Sequence, residues 1–334
     1  MKKNILAITL LLICFSIHAQ ESVSKDSVTD QMVNFSNTLT SILPENVNAL
    51  NVWPEAHIGK LFLAFPPHFG FGISAAATLI DTSFAKDTFD TFSKLILKDM
   101  TNIKLDFECN DVSVLPTFAI NARIGGLLLP FDVGVFAGAT NPNLLNKFNF
   151  GDFDASIEYL TLGGDLRYAI YEGNIIMPKL SIGVGYSYAQ QELNFYTNKT
   201  KQATYNSTDT NININANANI LLKTHTFFAQ MQISKKILLV TPFIGARAYY
   251  TFFENECDWK YKTQIVNAGS APTPIINDGQ KVSITNKKFN TNNIRPQIYL
   301  GVGLNAPILQ LAINVSWNPI TNYWSGGSTL NFKL

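Results

Sequence analysis

The sequence predicts an all-β fold: a transmembrane, antiparallel, up-and-down β-barrel with a short helical plug at its N-terminal side. Three observations carry that prediction. The chain closes on a strand, opens on an export signal, and alternates apolar with polar residues between them.

The closing segment Trp324–Leu334 places Leu330, Phe332 and Leu334 on one face and Thr329, Asn331 and Lys333 on the other. Such a strand invites aggregation at a sheet edge. In a closed barrel it pairs with the first strand, and no edge remains. At the start, Lys2 and Lys3 precede an apolar run from Ile5 to Phe15, and Ile17-His18-Ala19 offers a cleavage site before Gln20. The apolar run is too short for an anchor. Ile13 stands before Cys14 where a lipoprotein signal carries a small residue, so a plain signal peptide over 1–19 is expected.

Charged residues make up 15% of the chain, below the roughly 25% usual in soluble proteins. Removing Lys2 and Lys3 takes the basic residues from 25 to 23, against 24 acidic. That balance argues against a nucleic-acid partner. No segment after the signal supplies about 18 consecutive apolar residues, so transmembrane helices are excluded.

The strands follow in order. Phe69, Phe71, Ile73, Ala75, Ala77 and Leu79 oppose Gly70, Gly72, Ser74, Ala76 and Thr78. Val114, Phe118, Ile120 and Ile124 oppose Ser113, Thr117, Asn121 and Arg123; Phe131, Val133 and Val135 oppose Asp132, Gly134 and Phe136. Leu160, Leu162, Leu166, Tyr168 and Ile170 oppose Thr161, Gly163, Asp165, Arg167 and Ala169. Leu180, Ile182, Val184, Tyr186 and Tyr188 oppose Lys179, Ser181, Gly183, Gly185 and Ser187. The pattern returns at Phe227–Ile233, Val240–Tyr250, Ile298–Leu304 and Leu309–Trp317. A dyad repeat over about ten residues marks a lipid-facing barrel wall. The polar face is rich in Gly, Ser and Thr, as an enclosed lumen requires.

Connections alternate short and long. Leu127–Pro130, Ser234–Lys236 and Asn305–Pro307 are tight, whereas 80–111, 139–153, 191–222 and 254–291 are long. Short periplasmic turns and long outer loops fit a barrel of ten strands with its C-terminus in the periplasm. Alternation at Asn211–Asn219, and at Trp259–Ile265 with Val282–Ile284, either raises the count to twelve or fourteen or extends strands above the membrane. Tyr159, Tyr168, Tyr171, Tyr188, Tyr249, Tyr250, Tyr323 and Trp317 fall near strand ends, as an aromatic girdle does.

A helix is expected over 27–43. Ser27 and Asp30 form a capping box, Val28, Met32, Phe35, Leu39 and Ile42 share a face, and Pro44 follows. With a periplasmic arm as the alternative, residues 20–66 are then expected to form a plug or hatch inside a barrel of residues 67–334. Inward glycines at 72, 134, 163, 183, 185, 245, 301 and 303 leave it room. A second amphipathic helix is expected in the first long loop, with Ala85, Phe89, Phe92, Ile96 and Met100 on one face.

No constellation for catalysis or metal binding is visible. His57, His68 and His225 are scattered without metal or nucleophile spacing, so neither enzyme activity nor a cofactor is expected. Cys109 and Cys257 fall in long connections, and an exported context permits a disulfide between them. Parity turns Arg123, Asp132, Asp165, Arg167 and Lys179 into the lumen near its periplasmic end, with Arg247 and Arg295 as further inward candidates. These charges anchor the plug, filter solutes, or pair to hold the wall.

Four segments together resemble a known group. They are Phe65–Gly72, Asn121–Val135, Gly164–Ala169 and Ser234–Gly245. They are similar to spirochaete-type outer-membrane barrels likened to the FadL long-chain fatty-acid transporters. The resemblance implies an N-terminal hatch and passage of hydrophobic compounds across the bacterial outer membrane. It also implies fourteen strands, more than the ten counted here, and no ligand-binding residue of that family is matched. The expected function is import of hydrophobic small molecules such as long-chain fatty acids. The alternatives are an adhesin or antigen acting through loops 80–111, 191–222 and 254–291, or a general diffusion porin. Expected partners are outer-membrane lipid, a hydrophobic ligand and, through the last strand, the barrel-assembly machinery.

Overall fold

A computed structural model describes residues 25–59, 68–81, 112–126, 130–140, 148–150, 153–174, 176–205, 208–266, 273–274, 280–290 and 294–333. The signal peptide over 1–19, the helix expected around Ala85–Met100, and Cys109 lie outside these residues. Helix α1 spans Lys25–Leu50. The strands are β1 His68–Asp81, β2 Val112–Gly125, β3 Phe131–Ala139, β4 Phe148–Phe150, β5 Phe153–Tyr171, β6 Lys179–Tyr205 and β7 Thr208–Ser234. They continue as β8 Val240–Val266, β9 Thr273–Pro274, β10 Gln280–Asn290, β11 Arg295–Asn305, β12 Leu309–Trp317 and β13 Trp324–Lys333.

Ten of these strands close an antiparallel ring in the order β8-β11-β12-β13-β1-β2-β3-β5-β6-β7, with β7 returning to β8. The seam is β1 against β13, where Phe71 faces Phe332 and Ile73 faces Leu330. The apolar members of each alternating segment look outward: Ile182 is 46%, Leu300 57% and Leu311 41% exposed. That is the pattern of a barrel wall that faces hydrocarbon.

The wall is uneven in height. Strands β6, β7 and β8 each run 27 residues, whereas β3 and β12 run 9. At about 3.3 Å per residue and a tilt of roughly 40°, 27 residues climb close to 70 Å, far above an apolar band of about 25 Å. The connection expected over 191–222 is therefore a hairpin, paired without a break from Lys179/Ser234 to Tyr205/Thr208. The segment from Glu254 on likewise continues β8, and β10 pairs with it through Val282–Trp259. These alternating stretches extend strands and add none to the ring. Tight turns mark the lower end of the barrel and the tall strands its upper end.

Helix α1 stands inside the ring, and residues 51–59 continue it toward the lower end. The expected stop at Pro44 does not occur, because Pro44 lies within the helix. A proline removes one helical hydrogen bond, but Ile42, Leu43, Val47, Ala49 and Leu50 are buried in the lumen, and that packing outweighs the local break. Val47, Ala49 and Leu50 pack with Ala76, Ala119, Phe136 and Ala189 of the wall. Val52 packs with Phe243 and Tyr299.

The inward glycines mostly serve neighbours on the wall. A Cβ on Gly303 would sit 2.6 Å from Pro54 of the plug, so this glycine does make room for it. Those at 134, 183 and 245 instead clear space for the side chains of Arg123, Arg167 and Tyr299 on the adjacent strand. A narrow barrel cannot place large inward groups side by side, and glycine beside each one relieves the crowding.

Candidate functional site

Two regions stand out: a network of charge that fastens the plug, and the tall strands above it. The network begins on β2, β3 and β5. Register sets Arg123 opposite Gly134, and Gly134 opposite Asp165, so the guanidinium crosses over the glycine. Arg123 donates to Asp132 at 2.5 Å and to Asp165 at 2.6 Å. Arg167 grips Asp132 with two bonds of 2.8 Å, from Nε and Nη2. Gln230 donates to the other Asp165 oxygen at 3.0 Å. Two cations and two anions thus pair with one another in a buried cluster, as buried charges must.

The same groups reach the plug. Asp132 accepts from the Ile58 amide at 2.7 Å, and Arg167 donates to the Glu55 carbonyl at 2.9 Å. Lys179 donates to the His57 carbonyl at 3.2 Å. Arg247, higher in the lumen, donates to the carbonyls of Asn48 at 2.8 Å and Asn51 at 3.1 Å. It lies over Phe228, 4.6 Å from the ring centroid. Arg295 stands apart near the upper end and donates to the Ser41 carbonyl at 3.2 Å. The structure thus gathers Arg123, Asp132, Asp165 and Arg167 into one cluster and sets Lys179, Arg247 and Arg295 singly along the plug.

Other anchors escape sequence reasoning. Glu55 pairs with Lys333 and accepts from Gln310. Glu45 accepts from Tyr249, Asn318 and Gln297. Gln232 donates to the Trp53 carbonyl at 2.6 Å, and Ser181 to the Ala56 carbonyl at 2.6 Å. Nothing in a plug sequence without β-periodicity flags Glu45 or Glu55. Tyr249 was findable: it shares parity with inward Arg247. Tyr159 and Tyr249 face the interior, buried to 6% and 1% exposure, and so do not belong to an aromatic girdle. His57, at the lower mouth, is held neutral by burial and by the cations Lys179 and Arg167, its pKa lowered to about 4. Among the described residues no His, Cys, Asp and Glu cluster is arranged to hold a metal. Cys257 is buried on the inner face of β8.

The tall strands show a reversal of polarity at one level. Lateral rows follow from the register of β5, β6, β7 and β8. In the lower part of these strands the outward rows are Leu166-Val184-Ala229-Ala248, Gly164-Tyr186-Phe227-Tyr250 and Leu162-Tyr188-His225-Phe252. The next two rows up are Leu160-Gln190-Lys223-Glu254 and Glu158-Glu192-Leu221-Glu256. Above them come Ser156-Asn194-Asn219-Asp258 and then Asp154-Tyr196-Asn217-Lys260. The inner face changes in the opposite sense. Ser181, Ser187, Thr226 and Thr251 give way to Leu193, Phe195, Ala218, Ile220, Leu222 and Phe253, all buried. Below the switch the wall is apolar outside and carries most of its inward Ser, Thr, Gln and Arg; above it the outside is polar and the inside mostly apolar, with Gln191 and Asn255 buried among these residues, which is the pattern of a water-soluble sheet.

The two outward rows just below the switch form an aromatic belt. Tyr186 hydrogen-bonds His225 Nδ1 at 2.7 Å, and Phe227, Phe252 and Tyr250 follow edge to edge. Tyrosine and its neighbours are favoured where a membrane meets water. Among the described side chains just above, Asp154, Glu158, Glu192, Glu254, Glu256 and Asp258 outnumber Lys223 and Lys260.

Comparison with known proteins places the chain. Its fold is similar to the outer-membrane protease OmpT of Escherichia coli, at 8% identity and a TM-score of 0.39, covering 82% of this chain and 99% of that one. It is also similar to the translocator domain of the autotransporter NalP of Neisseria meningitidis, at 8% identity and a TM-score of 0.33, covering 91% and 97%. A Pseudomonas aeruginosa FadL homologue is similar at 9% identity and a TM-score of 0.26, covering 86% and 97%. No curated protein matches the chain in sequence. The sequence model of the Lsa36-like family matches residues 112–333, most of the barrel, and the chain belongs to that family.

Proposed function

We propose that this is a bacterial outer-membrane barrel that presents a binding surface outside the cell. Its tight turns lie in the periplasm, and the β5–β8 extension stands in the external medium. The observation that carries this reading is the reversal of polarity across one lateral row of four strands. A pure conduit needs no wall that rises tens of ångströms above hydrocarbon with its own apolar interior. The lumen, meanwhile, is packed by α1 and fastened by buried ion pairs. The acidic outward rows suit a basic macromolecular partner, attracted more strongly at low salt. This is the adhesin reading, with strand walls added to the loops.

The test uses the reconstituted full chain and a basic protein, lysozyme, as probe. Salt-sensitive binding is expected, falling when Glu192, Glu254 and Glu256 are changed together to Gln. Binding indifferent to those changes sinks the reading. Planar bilayers should show no open-channel conductance, and liposomes should not swell in small sugars, as they would with a porin.

Import of hydrophobic solutes, which the FadL resemblance implies, is the second reading. One observation favours it: an apolar groove of about 500 Å³ on the outer wall, lined by Phe71, Ile73, Ile120, Val135, Leu330 and Phe332. Saturable uptake of labelled oleate that depends on this barrel would establish it.

A further inference from the structure

We propose that α1 threads the lumen with its Lys25 end at the outer face of the membrane, so that this end of the helix is accessible at the cell surface beside the extension. The inference rests on the orientation proposed above. It follows from the direction of the plug, which its anchors fix level by level along β7 and β8. Asn37 meets Asn255, just above the row at which polarity switches. Glu45 meets Tyr249, and the carbonyls of Asn48 and Asn51 meet Arg247. Val52 packs on Phe243. The Ala56 amide donates to Ser234, which pairs laterally with Phe243 at the bottom of the wall. Plug numbers rise while β8 numbers fall, without a reversal.

The lower end is fixed independently. Ile58 binds Asp132, and Gly59 lies against Gly125 and Gly126 at the lower end of β2. The chain then reaches His68, where β1 starts at the same end. A periplasmic N-terminus would need the chain to turn back within the lumen. Instead the 26 residues of α1 make a single pass, about 39 Å long at 1.5 Å per residue, longer than an apolar band of roughly 25 Å. The Lys25 end of α1 thus stands at the upper end. Assembly must therefore pass that end across the membrane before or while β1 meets β13.

The experiment places one epitope in the full chain at three sites, in separate strains. The sites are just before Lys25, in the β6–β7 turn between Tyr205 and Thr208, and in the lower turn after Lys236. Antibody staining of intact cells is compared with staining after permeabilisation. The proposal expects equal signals before and after for the first two sites, and a signal only after permeabilisation for the third. If the hairpin tag stains intact cells and the N-terminal tag does not, the proposal is overturned while the surface reading stands. If the hairpin tag needs permeabilisation, the orientation itself is wrong and both fall. Should a tag block assembly, Asn34→Cys, at an exposed position of α1, replaces it. Labelling of intact cells by a membrane-impermeant maleimide above the wild-type level supports the proposal, and labelling only after lysis overturns it.

Discussion

The lower and upper halves of β5–β8 are made of the same strands, yet their inner and outer faces exchange chemistry. Below the row Thr161-Ala189-Thr224-Phe253, the outward face is apolar and the inward face carries Ser, Thr, Gln and Arg beside the aromatics Phe228, Phe243 and Tyr249. Above it, Glu192, Asn194, Glu254 and Glu256 look outward, and Leu193, Ile220 and Leu222 look inward. In the proposed orientation the backbone does not change but the medium does: hydrocarbon around the lower half makes inward polar groups find partners on the plug, whereas water around the upper half drives apolar groups to the inside.

The sharpest way to break this contrast is to remove a charge from the lower interior. Arg167→Ala leaves Asp132 without its bidentate partner and the Glu55 carbonyl without a donor. Loss of one member of a buried pair costs about 3–5 kcal/mol, read as lower resistance to urea in micelles and as the appearance of conductance. Unchanged stability would mean the network does not fasten the plug.

In the upper half the same size of effect should come from an apolar residue instead. Leu222, at 0% exposure on the inner face, should cost about 2–5 kcal/mol as Leu222→Ala. Proteolysis of the extension, with the membrane band intact, reports it. Resistance equal to wild type would deny the extension a packed interior.

A matched pair sharpens the outer face. Val184→Arg places a cation against lipid and should cost about 2–4 kcal/mol, while Asn194→Arg on the same strand should stay within about 0.5 kcal/mol. Equal costs would erase the boundary.

The smallest effect concerns the lower mouth. The folded pKa of His57 is depressed to about 4 by burial, Lys179 and Arg167, so the folded state disfavours its proton. Stability from neutral His57 is full above its ordinary value near 6.5 and fades as pH falls toward about 4. Plug release at acid pH should be weaker in His57→Phe, measured as conductance at pH 4 against pH 7. An identical response in both proteins would assign acid release elsewhere.

Much of this fold was legible because a period of two is a strong local signal. Ile182, Leu300 and Leu311 could be placed outward from alternation alone, and Arg123, Asp132, Asp165 and Arg167 inward from parity with them. Alternation names two faces but not the solvent each one meets. The stretch 191–222 therefore resembles a long connection, since its outward Glu192 and Asn194 are polar where a lipid-facing strand is apolar. Tyr159 and Tyr249 were placed in a girdle by clustering, although their parity with Arg167 and Arg247 points inward. Pro44 misleads because helix length inside a lumen is set by packing rather than by propensity. Glu45 and Glu55 stay silent because their partners come from β8, β11, β12 and β13, far away in sequence.

The boundary itself can be measured along one strand. Single nitroxides at Val184, Tyr188, Gln190 and Asn194 of β6, in the reconstituted barrel, report whether each site meets lipid or water. Relaxation by oxygen should dominate at Val184 and Tyr188, and relaxation by a water-soluble nickel chelate should dominate at Gln190 and Asn194. A lipid signature persisting at Asn194 would contradict the account.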